Sequence, residues 1–412
     1  MTTAADLGFV NRLFPALSEA SLRRYLSGQV ASVLGSWTQN VTLNLLVYHL
    51  SGSAAILALL NFLLYGPQLV VAPVAGSRIR SENAKRVTLC VLLTSLLLTM
   101  SLFTLSLLGV LSVTLILAHA LAIGISSAVE TPARQVLLLT SLEDAAHTSN
   151  AVAMNTMVYN VGRMVGPTIA GFVYPTLGPR TSFVIYALAL CFMATCVRSI
   201  RTDAPVHPSR AASGLRDAVG YVMADAFSAR YLPILACIGL FAGSYQTLVP
   251  LLADQAFHDA ARFTGVFFAC AGAGSLTAAL LLSSALGPRA SARLIGLAPW
   301  TAVVALAMLS MTTAAAASMP AFYALGFSLT FAATSTNATI QRNCPVHVRG
   351  GLVGMYGMAY NGTMPFGYLL VGTASEALGV RHTFGTMAFV LAGGVVAIVV
   401  CSRIREKRAG AQ

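Results

Sequence analysis

Charge is scarce in this 412-residue sequence, at 9% of residues, and acids are scarcest, with 13 Asp and Glu against 25 Lys and Arg. A soluble domain carries roughly 25% charged residues, so most of this chain must lie in a solvent that penalises charge. That solvent is a lipid bilayer. Cysteine is sparse too: seven residues, with no CxxC pair. This argues against a metal site or a disulfide framework. Cys90, Cys191, Cys237 and Cys401 fall in apolar stretches and read as reduced packing residues. No glycine-rich phosphate loop occurs, which argues against direct use of ATP. The first 22 residues, with Asp6, Arg12, Pro15 and Glu19, lack the pattern of a signal peptide. The N-terminus is therefore expected to remain and to stay cytoplasmic.

What the sequence does have is apolar length, with 57% hydrophobic residues. A spanning helix needs about 20 such residues, and a membrane β-strand only about 9–11. Spans of helical length lie near 25–48, 54–76, 87–109, 112–132, 150–174 and 180–198. Six more lie near 231–253, 262–285, 293–313, 319–340, 351–374 and 382–402. The expected fold is an all-α membrane protein with twelve transmembrane helices in two pseudo-symmetric six-helix bundles. Residues 1–198 form one bundle with a tail, and 231–412 form the other. The stretch 199–230 is a linker whose part from Leu215 to Tyr231 reads as an amphipathic helix at the inner interface.

Orientation follows from Lys and Arg, which favour cytoplasmic loops. With both termini inside, the outer loops hold only Arg180, Arg262 and Arg381, and Arg163 alone lies within a span. Every other basic residue falls inside. The distribution explains the net charge of +12 without any nucleic acid.

An internal repeat supports two halves. Span 4 ends in Glu130-Thr-Pro-Ala-Arg134-Gln135 and span 10 in Ala338-Thr-Ile-Gln341-Arg342-Asn343, placing Arg134 and Arg342 at equivalent positions. Span 5 carries Gly162-Arg163-Met-Val-Gly166-Pro167 and span 11 carries Asn361-Gly362-Thr-Met-Pro365, so Arg163 matches Asn361. Parallel halves of this kind place a substrate site between them near the midplane.

Several segments, in order and over essentially the whole chain, resemble the major facilitator superfamily. They are Arg24-Tyr-Leu-Ser-Gly28-Gln29-Val-Ala-Ser32, Val47-Tyr48-His-Leu-Ser-Gly52-Ser53, Pro132-Ala-Arg134-Gln135, Asn150-Ala-Val-Ala-Met-Asn155 and Arg163-Met-Val-Gly166-Pro167. Val348-Arg349-Gly350 and Gly354-Met-Tyr356 continue them in the second half. Within the superfamily they are most similar to the branch containing the bacterial enterobactin exporter and related efflux proteins. The resemblance implies a proton-coupled antiporter working by alternating access. It assigns Gly162, Gly166 and Pro167 to the antiporter-associated pattern of span 5, although Ala153 and Ala170 stand where glycines are usual. Small residues four apart let helices approach closely, and Pro167 loosens a backbone hydrogen bond. It also places Arg80 where the family's gating loop has an Asp, with Glu82 nearby. The loop reads equally as a positive-inside anchor.

Residues that could carry transport chemistry cluster on few helices. Gln29, Ser32, Ser36, Asn40 and Asn44 share one face of span 1, within about 120° of arc. Polar groups avoid lipid, so this face is expected to line the central cavity. Asn155, Tyr159 and Arg163 share a face of span 5, with Arg163 near the midplane. An arginine there needs an anion, either a cargo or Glu130. Glu130 and Arg134, four apart, are expected to pair, and Glu130 is also the candidate proton carrier. His119 is a buried group able to titrate, and equally a packed, hydrogen-bonded one. Tyr245, Gln246, Asn337 and Asn361 are further cavity candidates.

The expected function is secondary active export of a small organic molecule. A cavity offering an arginine and amides suits an anionic, zwitterionic or neutral polyoxygenated solute such as a siderophore, although the branch also contains drug exporters. Protons are the expected coupling ion. An importer on the same fold is the first rival. A membrane enzyme would need a catalytic cluster that His119, standing alone, does not supply. A sensor would need an output domain. No cofactor, no metal and no nucleic acid are expected, and the working unit is expected to be a monomer in the bacterial inner membrane.

Overall fold

A computed structural model describes residues 15–200, 215–283, 288–345 and 348–409, and among them every regular element is helical. The chain forms two compact units by contact: Met1–Leu46 with Leu63–His207, and Val47–Phe62 with Pro208–Gln412.

The first unit begins with a short 3-10 turn, Pro15–Ser18, and the long helix α1, Ala20–Ser51. The next span in chain order is two helices, α2 (Ala54–Tyr65), which belongs to the second unit as far as Phe62, and α3 (Gln68–Arg78), separated at Gly66-Pro67. Proline disfavours helical backbone in the residue before it, which explains the break. Helices α4 (Ser81–Leu107), α5 (Val113–Thr140), α6 (Thr148–Leu177) and α7 (Pro179–Ser199) follow. At the start of α4 the Arg80 N–H donates to Asn83 Oδ1 at 2.8 Å, and Asn83 Nδ2 returns to the Arg78 carbonyl at 3.1 Å. Arg80 itself is exposed there as a helix-capping residue. The apolar core of this unit gathers Tyr25, Leu92, Leu137, Tyr186, Leu190 and Met193 from α1, α4, α5 and α7.

The second unit opens with α8 (Leu215–Ala224) and α9 (Ala226–Cys237). The amphipathic helix expected through Tyr231 stops at Ala224, because Asp225 caps the next helix, accepting from the Ser228 N–H at 2.8 Å. A π-helical turn, Ile238–Ala242, leads to α10 (Tyr245–Phe257). Then come α11 (Ala260–Ser283), α12 (Pro288–Met311), α13 (Ala315–Asn343), α14 (Arg349–Tyr360), α15 (Met364–Leu378) and α16 (Val380–Ala409). Tyr245, Phe267, Phe268 and Phe322 build an aromatic core, with the Phe267 and Phe322 rings 4.6 Å apart.

Among the described residues, nine stretches are long and apolar enough to cross a membrane, including α2 with α3 and α9 with α10 as continuous spans. The expected spans outside that set coincide with α1, α6 and the broken pair α14–α15, all diluted by polar and small residues. Gly178 and Gly379, at φ +78° and +80°, end α6 and α15 before the last helix of each sequence half. Only glycine adopts that conformation without strain, so the repeat is visible in its turns. All seven cysteines are free, but Cys90, Cys191 and Cys401 lie on exposed helix faces instead of packing inside.

Candidate functional site

Buried polarity in the first unit converges on Arg134, whose side chain is 5% exposed. It pairs with Glu130 one turn earlier on α5, as their spacing implied. Pro132 lies between them and has no N–H to give the carbonyl four residues back, which loosens the turn that carries the pair. Two acceptors come from α1: Arg134 Nη1 donates to Gln29 Oε1 and Nη2 to Ser32 Oγ, each at 2.7 Å. Tyr25 Oη donates to the Arg134 carbonyl at 3.2 Å. Gln29 and Ser32 are 0% and 2% exposed. The sequence placed both on a polar face of α1; the structure turns that part of the face onto a buried cation of α5.

The network is short of acceptors. Gln29 Nε2 and Arg134 Nε are buried with no hydrogen-bond partner among the described residues. A guanidinium stays charged in proteins, and an orphaned buried donor is costly. A fixed cation with one carboxylate and two unmet donors is a site whose charge balance depends on the state of Glu130.

Arg163 is held differently. Its guanidinium lies over the Trp37 ring, 5.6 Å from the centroid. Among the described residues no carboxylate forms an ion pair with it. The reading of Arg163 as Glu130's structural partner is corrected: Arg134, one helical turn away, takes that carboxylate. Asn155 lies on the same helix, half-buried, with Oδ1 shielded and unpartnered among the described residues, and Tyr159 is 42% exposed. Gly162 and Gly166 press α6 onto α1, where a Cβ would overlap Val33 and Trp37 respectively. Pro167 follows inside the helix, and Thr38 Oγ1 donates to the Gly166 carbonyl at 3.2 Å.

Further along α1, Ser36 donates to its own helix at Val33, and Asn44 Nδ2 to the Asn40 carbonyl at 2.8 Å. His119 is satisfied by packing partners. Its Nδ1 donates to the Leu115 carbonyl at 2.7 Å, and its Nε2 shares a hydrogen bond with Ser101 Oγ at 3.0 Å. The histidine thus ties α5 to α4.

In the second unit Tyr245 is 2% exposed within the aromatic core, and Gln246 is half-buried beside it. Asn337 accepts from Gln341 Nε2 at 2.8 Å on α13. Arg342, the sequence counterpart of Arg134, is exposed. Asn361 is also exposed, at the break between α14 and α15. This break was not foreseen. It meets the π-helical turn: Thr363 Oγ1 lies 3.2 Å from the Ala236 carbonyl. Gly239 would place a Cβ 2.5 Å from both the Tyr360 carbonyl and Thr363 Oγ1, and one at Gly367 would overlap the Leu240 carbonyl. Two interrupted helices therefore touch where their backbones are least regular, as membrane transporters tolerate when a cavity or a neighbour satisfies the freed groups. Asn361-Gly362-Thr363 and Gly239 with Gly243-Ser244 were the available signals.

Residues 47–62 carry a second set of contacts in this unit. Tyr48 Oη donates to Asp254 Oδ2 at 2.9 Å. Glu376 accepts from Ser53 Oγ and, at 3.1 Å, from the Ala55 N–H at the start of α2. Ala54 and Ala58 pack where Gly372 has no side chain.

The chain matches the family of transmembrane secretion effectors over residues 13–412. It is 26% identical to the staphyloferrin A transporter of Staphylococcus aureus (strain NCTC 8325 / PS 47) over 374 residues, 88% of this chain and 91% of the relative. It is 29% identical to the multidrug efflux pump Tap of Mycolicibacterium fortuitum over 362 residues, 82% and 85% of the two chains. Its fold is similar to a bacterial homologue of the human lysosomal transporter Spinster, with TM-score 0.71 and 14% identity over 94% of this chain and 97% of that one.

Proposed function

Because this chain belongs to the transmembrane secretion effector family of major facilitator transporters, we propose that it exports a small organic solute in exchange for protons. The proposed setting is twelve spans with both termini cytoplasmic, in a bacterial inner membrane, acting as a monomer. The observation that carries the coupling is the Glu130–Arg134 pair with its two unmet donors. When Glu130 is ionised, it balances Arg134. When it takes a proton, Arg134 becomes an uncompensated cation in a low-dielectric span, a state that favours an anionic group nearby. Protonation of Glu130 and the binding of an anion are thereby linked through one charge balance, the link that coupling needs. The choice of exchange over co-transport rests on the likeness to an efflux relative.

Arg163 serves as the cargo's cationic contact in this reading. It is half-buried, has no ion-pair partner among the described residues, and lies above Trp37, which offers an aromatic face beside the charge. Asn155, Asn40 and Asn44 would add amide contacts, suiting a polyoxygenated, anionic or zwitterionic molecule. The cargo of one relative, staphyloferrin A, is compatible with that class.

The test is flux in inside-out vesicles carrying the purified protein, with an imposed pH gradient and no ATP. Staphyloferrin A and a cationic dye serve as probes. Gradient-driven accumulation of the siderophore supports the proposal. Accumulation that needs ATP, or loss of proton dependence with flux intact, refutes the coupling. Movement of the dye alone refutes the cargo class.

A further inference from the structure

Two grooves lie apart from the Arg134 and Arg163 sites, one in each unit. The first, about 690 Å³, runs between α4 and α7. Leu89, Leu93 and Leu96 line it from α4, and Leu190 and Ala194 from α7. One end is basic, with Lys85, Arg86 and Arg198; Glu82 lies there as well. Lys85 spends two of its donors on the Arg198 and Ile200 carbonyls, at 3.1 and 2.7 Å. Arg86 and Arg198 are exposed, and neither forms an ion pair among the described residues.

The second groove, about 390 Å³, runs beside α9, α12 and α16. Its walls include Trp300, Val395, Val396 and Val399, and Arg230 and Arg403 lie at one end. Arg230 places its guanidinium 5.6 Å from the Tyr231 ring centroid, and its Nε is buried with no acceptor among the described residues.

The two grooves occupy corresponding places in the repeat. Helices α4 and α7 are the third and sixth spans of the first sequence half, and α12 and α16 are the third and sixth of the second. In each groove the basic end falls where the third or first span begins and the sixth ends, so both basic ends face the same side of the membrane in the proposed topology.

We infer that each groove binds one anionic phospholipid, its acyl chain along the apolar wall and its phosphate on the paired arginines. A soluble anion has no use for the leucine and valine walls. A zwitterionic lipid brings its own cation to a site that already holds two or three basic side chains. Phosphate accepts bidentate hydrogen bonds from guanidinium forks and suits unpaired arginines at the level of headgroups. The inference rests on the proposed topology, and stands apart from the proposed cargo and coupling.

The test is native mass spectrometry of delipidated protein, titrated with phosphatidylglycerol or with phosphatidylcholine of the same acyl chains. Two tight phosphatidylglycerol-binding events per chain are expected. Arg86→Gln with Arg198→Gln removes one event, and Arg230→Gln with Arg403→Gln removes the other, each weakened roughly 30-fold at about 1 kcal/mol per basic residue. Lysine at the same positions retains only part of the binding, because a point charge replaces a planar fork. Arg180→Gln with Arg342→Gln, an equal loss of charge on exposed arginines elsewhere, leaves both events intact. Equal weakening in that control, or phosphatidylcholine binding as tightly as phosphatidylglycerol, overturns the inference.

Discussion

Glu130→Gln is the sharpest perturbation of the buried network. It removes the one carboxylate that pairs with Arg134 among the described residues; the Arg134 side chain is 5% exposed and that of Glu130 15%. Removing one partner of a buried ion pair costs about 3–5 kcal/mol, because the other charge is left uncompensated. Here Gln29 Oε1 and Ser32 Oγ still accept from the guanidinium, and the new amide oxygen can replace one carboxylate contact. The expected loss is therefore near the lower bound, about 3 kcal/mol. Arg134→Gln orphans Glu130 and strips both α1 acceptors of their donor, with a loss of similar size. The double variant carries neither charge and should recover about 2–3 kcal/mol of the summed losses as coupling energy. Denaturant titration followed by fluorescence of Trp37 and Trp300, the only two tryptophans, reads all four members of the cycle. Strictly additive losses would show that the two groups do not compensate each other, and the charge-balance reasoning would fail. Flux adds a second reading: the double variant should fold yet remain uncoupled, since no proton carrier is left at position 130.

Arg163→Gln should cost only about 1 kcal/mol of stability, the scale of a cation–π contact with Trp37, while abolishing transport; wild-type flux in this variant would remove Arg163 from the cargo site. Arg163→Lys should restore flux only in part, because a point charge replaces a planar fork. Gly166→Val forces a side chain into Trp37 and should cost about 1–3 kcal/mol by overpacking, read as a lower thermal midpoint; an unchanged midpoint would show that α6 stands further from α1. Glu376→Ala should speed amide exchange over the first turn of α2, where the Ala55 N–H loses its acceptor, and unchanged exchange there would show that Glu376 does not cap that helix.

Much of the fold was legible because it depends on composition and local order. Scarce charge and helix-length apolar runs require a bilayer regardless of packing. The Glu130–Arg134 pair was legible for the same reason: both ends lie one helical turn apart. The helix breaks at Gly66-Pro67, at Ile238–Ala242 and at residues 361–363 were not identified, although their small and proline residues were visible. Small residues in a membrane helix serve close packing as readily as a break, and periodicity cannot separate the two uses.

What tertiary structure alone decided is which partner each polar group meets. Arg134 and Arg342 look alike in the repeat, yet one is buried and the other exposed. The difference lies in Gln29 and Ser32, more than 100 residues away on α1, a separation over which no local pattern carries information. Arg163 took an aromatic face in place of the only acid the sequence offered nearby. A buried charge accepts whichever compensation its packed neighbours bring within a few ångströms. Chain order determines that this compensation must exist, and only the packing of helices determines what supplies it.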